Sequence, residues 1–174
     1  MPQVVIDNAG SRRRARRIGL VVLAAMLVVA GAVTFIVLKT APKVTYADTV
    51  GVEQQANALV QSGQVPAALV VYDKAIKRAA DQQTKGVLYS KKANVEYGAK
   101  QLDGALRDAL SADQILAGSG TSAYVAMVYE QRGEPAQAAK YYRQAADRVQ
   151  ANRPTGPSKQ FYLDKAQALE GTKS

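Results

Sequence analysis

Two patterns of apolar and polar residues divide this chain. Residues 18–38, IGLVVLAAMLVVAGAVTFIVL, carry no charge and one hydroxyl, Thr34. A helix of 21 residues covers about 30 Å, the thickness of a bilayer's hydrocarbon core. Soluble helices keep a polar stripe, and this run has none, so the pattern predicts one transmembrane helix. From about residue 49 the pattern changes: apolar positions recur at helical spacing, and Ala, Gln, Lys, Leu and Tyr dominate without alternating β-branched runs. The expected fold class is therefore all-α, a membrane helix followed by a helical domain.

Within that domain two segments share a scheme, residues 52–76 (VEQQANALVQSGQVPAALVVYDKAI) and 122–146 (SAYVAMVYEQRGEPAQAAKYYRQAA). In each, a helix ends at a glycine (Gly63, Gly133), a proline opens the next helix (Pro66, Pro135), and that helix carries Ala, then Tyr, then Ala. Glycine past a helix end and proline in a first turn mark a tight helical hairpin. A third copy, residues 89–113, lies between them and is aligned by Ala105, Ala109 and Ala112. It departs from the scheme in four places. Glu96 stands where a bulky apolar residue is expected, Gly98 is expected to end the first helix early, Lys100 replaces the turn glycine, and Gly104 falls in the first turn of the second helix, which Asp103 is expected to cap. Longer joints are expected at residues 79–85, 117–122 and 152–158. A final segment from 158 repeats first-helix spacing through Phe161 or Tyr162, Ala166 and Leu169, with a polar back at Lys159, Asp164, Lys165 and Gln167. The predicted boundaries are a leader at 1–17, the membrane helix at 18–38, a linker at 39–48 and a domain at 49–171. Its hairpins fall at about 49–81, 86–117 and 119–151, and a capping helix at 158–170.

Charge changes the picture at the N-terminus. The chain's net +9 is concentrated beside the apolar run: residues 1–17 carry +4, Lys39 and Lys43 add +2, and the remainder carries +3. Arg12, Arg13, Arg14, Arg16 and Arg17 abut the run, and arginine clustered beside a span marks its cytoplasmic side. The expected location is the cytoplasmic membrane, single-pass, N-terminus in the cytoplasm and helical domain outside. A second reading of the arginines, as a patch for anionic lipid or nucleic acid, is an added role open to them at that position. The triplet Ala30-Gly31-Ala32 could serve as a signal-peptide cleavage site, but the apolar run continues through residues 33–38 and favours an uncleaved anchor. Nucleic acid is not favoured as a partner by a domain carrying +3.

Cysteine and histidine are absent. Thiolate nucleophiles, Ser-His-Asp triads, imidazole acid/base chemistry and Cys/His metal sites are therefore excluded. Neither a cofactor nor a catalytic constellation is expected. The pairs Asp103/Asp108 and Glu130/Glu134 read as solvated helix faces, because no apolar pocket is indicated around them.

The spacing Ala68 to Ala105 to Ala138, 37 and then 33 residues, is close to a repeat of about 34. With small residues at Ala56, Ala93, Ala126, Ala75, Ala112 and Ala145, and large ones at Leu59, Tyr129, Tyr72 and Tyr142, residues 50–148 resemble the tetratricopeptide repeat (TPR) family. The resemblance implies an α-solenoid of three hairpins whose first helices line a concave groove for an extended peptide or a partner's helix. The groove-facing residues it implies are Glu53, Asn57 and Gln61; Ser90, Asn94 and Tyr97; and Met127, Glu130 and Gln131. Glu53 and Ser90 stand where a carboxylate clamp of this family would want cationic or amide groups, so recognition by shape and backbone is favoured. Of the tyrosines, Tyr72, Tyr89, Tyr129, Tyr142 and Tyr162 fall on packing positions, leaving Tyr97, Tyr124 and Tyr141 for the surface. The expected function is a non-catalytic, membrane-anchored scaffold or adaptor in assembly or secretion at the cell envelope. The alternatives are an envelope carbohydrate-binding or accessory enzyme module, and a homo-oligomeric membrane organiser.

Overall fold

The structure, a computed structural model, describes residues 42–149 and 156–171 of the 174-residue chain. The expected membrane helix at 18–38 and the arginine cluster before it lie outside the described residues. Among those described, no helix is long and apolar enough to cross a membrane. The described helices belong to one compact unit beginning at Lys43.

Among the described residues seven helices succeed one another: α1 (Thr49–Gln61), α2 (Val65–Lys77), α3 (Gln82–Gly98), α4 (Leu102–Leu116), α5 (Ser119–Gln131), α6 (Pro135–Asp147) and α7 (Lys159–Gly171). They pair as the hairpins α1–α2, α3–α4 and α5–α6, with α7 packed on α6. The three turns share one hydrogen-bond pattern. The N–H of Gly63, Lys100 or Gly133 donates to the carbonyl of Val60, Tyr97 or Glu130 at 2.9–3.0 Å, and the N–H of the next residue reaches back to Leu59, Glu96 or Tyr129 at 2.8–2.9 Å. All three turn residues are left-handed, with φ of +76°, +60° and +73°. Such a turn satisfies carbonyls that the helix end would leave open, and it favours glycine. Lys100 adopts it without being one.

Small residues set the distance between helices. Ala56, Ala93 and Ala126 on the first helices, and Ala68, Ala105 and Ala138 on the second, are all 0% exposed. Alanine lets backbones approach closely, and larger side chains fill the space beside the contact. Three apolar clusters result. Tyr72 and Leu88 join Ala56, Ala68 and Ala75 at one end, Ala93, Ala109 and Val125 form the middle, and Tyr142 and Tyr162 join Ala126, Ala139 and Ala166 at the other. Tyr162, rather than Phe161, takes the packing position of α7 and stacks against Tyr142 with ring centroids 6.4 Å apart.

Several local expectations are corrected. The first two joints are shorter than expected, residues 78–81 and 117–118, because their polar residues open helices. Asp81 caps α3 by accepting from the Thr84 N–H at 2.7 Å, and Thr121 Oγ1 accepts the Gly118 N–H at 3.1 Å inside the first turn of α5. Asp103 does not cap α4; it lies within the first turn, and its exposed carboxylate pairs with Arg132. Tyr141 is not a free surface ring but stacks on Tyr129 at 5.5 Å. The stretch expected as a linker is described from Pro42 onward, and there it is seated on the domain. Val44 is buried, its N–H donates to the Arg78 carbonyl at 2.8 Å, and its own carbonyl accepts from the Ala80 N–H at 2.7 Å.

A buried polar knot ties the second and third hairpins. Asp113 on α4 is 5% exposed. Its Oδ1 accepts from Thr121 at 2.8 Å, Ser122 at 2.9 Å and Arg148 at 2.6 Å, and its Oδ2 accepts from Gln144 at 3.1 Å. Four donors satisfy a carboxylate that would otherwise be costly to bury. One side chain thereby joins α4, α5 and the end of α6.

Candidate functional site: an aromatic concavity on the first helices

A concavity of about 680 Å³ opens between α3, α5 and α7. It collects one aromatic or apolar side chain after another: Tyr97 from α3, Tyr124 and Met127 from α5, Tyr142 from α6, and Phe161 and Tyr162 from α7. Their convergence is a consequence of register. The alanines turn one face of each first helix inward, so residues beside that face line the adjoining hollow. Met127 and Phe161 remain 41% and 46% exposed, large apolar groups left in contact with water. Glu130, Gln131 and Lys165 supply polar atoms around them.

The polar groups are partly committed to one another. Glu130 accepts the Tyr142 hydroxyl, and Tyr97 donates to Gln131 Oε1 at 3.4 Å across the α3–α5 gap. Burial pushes the Tyr142 phenol well above its ordinary range, and the Glu130 carboxylate beside it adds to the effect. Tyr124 is pushed up to about 12 by burial and then by Tyr97 and Glu96 nearby. Its ring lies 6.0 Å from that of Tyr97, and its buried hydroxyl has no hydrogen-bond partner. These phenols stay neutral at physiological pH, and the surface they offer is apolar with a few donors and acceptors.

Of the nine groove residues expected from sequence, the concavity brings together Tyr97, Met127, Glu130 and Gln131. The other five are placed elsewhere along the first helices. Asn57, Gln61 and Asn94 are exposed, Ser90 is half-buried, and Glu53 pairs with Lys91 across α1 and α3. Glu53 also acts on Tyr72, whose phenol is pushed up to about 12 mainly by burial and then by that carboxylate. Phe161, Tyr162 and Lys165 were not expected at the site, since the last helix was read as a cap. The signal was present in Phe161-Tyr162, two neighbouring rings of which a single helix face buries only one.

A second hollow of about 460 Å³ is lined by charged side chains, among them Asp73, Lys77, Lys85, Lys92, Arg107 and Asp108, together with Ile76 and Tyr89. Among the described residues, no cluster of acidic, His or Cys side chains could hold a metal ion. No family model matches the chain, and no curated protein matches it.

Proposed function

We propose that this chain is a membrane-anchored adaptor of the TPR kind, which holds a partner's peptide or amphipathic helix in the concavity between α3, α5 and α7. The observation that carries the proposal is the convergence of six aromatic or apolar side chains on one hollow, two of them substantially exposed. Hollows lined by rigid aromatic groups with a few fixed polar atoms suit the apolar anchors of a peptide better than a charged ligand. Three hairpins with the same turn geometry and the same buried alanines support the TPR reading. The membrane anchor rests on the uncharged run at 18–38 and the arginines before it. With that orientation the helical domain lies outside the cytoplasmic membrane, beside assembly or secretion machinery.

A photoreactive amino acid placed at Met127 or Phe161 in the full-length protein tests this directly in cells. Both positions are expected to give a discrete crosslinked adduct. The same group at Val70, which is 48% exposed on α2, is expected to give none. Equal labelling from all three positions would remove the concavity as the binding site.

A further inference from the structure

The middle hairpin carries two acids where its sister hairpins carry a packing pair. Counting from the shared turns, Leu59 and Val71 of the first hairpin correspond to Glu96 and Asp108 of the second and to Tyr129 and Tyr141 of the third. Leu59 and Val71 pack against the first apolar cluster, and Tyr129 stacks on Tyr141. Glu96 and Asp108 thus meet at an interhelical contact position. Both are 3% exposed.

Donors at this site are distributed unequally. Lys92 Nζ lies 2.8 Å from Asp108 Oδ2 and 2.9 Å from Asp73 Oδ1 on α2, but 3.8 Å from Glu96 Oε1. Arg107 Nε is 3.2 Å from Asp108 Oδ1, while its Nη2 stays 3.6 Å from Glu96 Oε1. Neither Glu96 Oε2 nor Asp108 Oδ2 receives a well-formed hydrogen bond, but Asp108 Oδ2 has the Lys92 ammonium in close ion-pair contact and Glu96 Oε2 has no such cation. From α5, Tyr124 is the titratable neighbour. The cations therefore serve the aspartates and leave Glu96 buried without a short contact to either. A carboxyl so placed favours its neutral form, which can donate its proton to the adjacent acid.

The helix opposite is shaped to this carboxyl. A Cβ at Gly104 would lie 2.7 Å from Glu96 Oε1 and 2.9 Å from its Cδ. The glycine in the first turn of α4 and the acid in place of an apolar residue on α3 are thus two halves of one contact.

We propose that the middle hairpin is latched by a proton held between Glu96 and Asp108, and that losing this proton loosens the packing of α3 on α4. Burial, and then the charge of Asp108, raise the Glu96 carboxyl to about 7, against an ordinary value near 4.5. The folded chain therefore keeps a proton that the unfolded chain gives up between those values. Stability from this source is complete below about pH 4.5 and is lost as pH rises through 7. With no histidine in the chain, no imidazole titration overlays the window.

The test is thermal unfolding of the full chain, monitored by far-ultraviolet circular dichroism from pH 5 to 8. The midpoint is expected to fall as pH rises. Glu96→Gln, which keeps the shape and cannot ionise, is expected to flatten the curve and to exceed the parent at pH 8. Glu96→Leu restores the residue type of the first hairpin and gives the same flattening should the amide be poorly tolerated. Hydrogen exchange, corrected for the intrinsic pH dependence, is expected to accelerate in α3 and α4 of the parent above pH 7 and not in the variants. A parent midpoint that is level or rises across this range, or variants that retain the parent's slope, would overturn the latch.

Discussion

Lys100 is the residue at which this chain most plainly departs from its own pattern. It occupies the left-handed turn position that Gly63 and Gly133 hold in the sister hairpins, at φ +60°. For an L-residue with a Cβ that conformation costs about 1–2 kcal/mol, offset in part by the entropy that glycine would lose on folding. The side chain gives little back, since its ammonium lies 5.9 Å from the Tyr97 ring centroid in an exposed turn. Lys100→Gly is expected to stabilise the chain by about 0.5–1 kcal/mol, read as a shift in the urea midpoint at unchanged slope. The pairing of Glu96 with Gly104, two more of the irregular residues, was beyond reach of sequence. Each is unfavourable on its own terms, and only the contact between α3 and α4 shows that one makes room for the other.

At the scale of helices, two kinds of contact hold the stack together. Buried alanines bring the helices close within each hairpin, and the Asp113 knot joins one hairpin to the next. Removing a buried acceptor leaves its donors unsatisfied, which costs more than the net value of the bonds themselves. Asp113→Ala takes the acceptor from Gln144 and the charge partner from Arg148, while Thr121 and Ser122 keep the Gly118 carbonyl, and it is expected to destabilise by about 1–3 kcal/mol in chemical denaturation. The alanine register was legible in the sequence because a small residue recurring in every copy is a geometric demand of close packing. The knot was not legible, since an Asp, a Ser and an Arg spread over 35 positions carry no spacing signal. The same limit explains why Asp108 was read as solvated: helix periodicity places it on a face, but only the neighbouring helix buries that face.

For the domain as a whole, contacts run mainly between successive helices and between neighbouring hairpins, so stability is expected to be partitioned along the stack as in repeat proteins. The last helix does more than shield an open end. Tyr162 is 3% exposed against Tyr142, while Phe161 beside it turns into the concavity. Replacing a buried aromatic ring by alanine costs about 3–5 kcal/mol, and Tyr162→Ala is expected to release α7 locally. Hydrogen exchange should rise in α6 and α7 and stay unchanged in α1 and α2; uniform acceleration across all seven helices would mean that the stack unfolds as one unit. The predicted consequence for binding is loss of the photocrosslink at Met127, since the far wall of the concavity leaves with α7.

Sequence alone was enough to locate an uncharged run of membrane-spanning length, the helical class of the domain beyond it, the three hairpins and the alanines between their helices. Each is written in local spacing, in runs of one character or in turn chemistry, and these depend on residues within a few positions of one another. Tertiary structure alone decided which side chains share a hollow, that Tyr162 and not Phe161 is the ring α7 buries, and that two acids meet under Lys92. Those outcomes depend on how one helix lies against the next, a relation that residues far apart in the chain settle jointly through packing volume and the supply of hydrogen-bond donors.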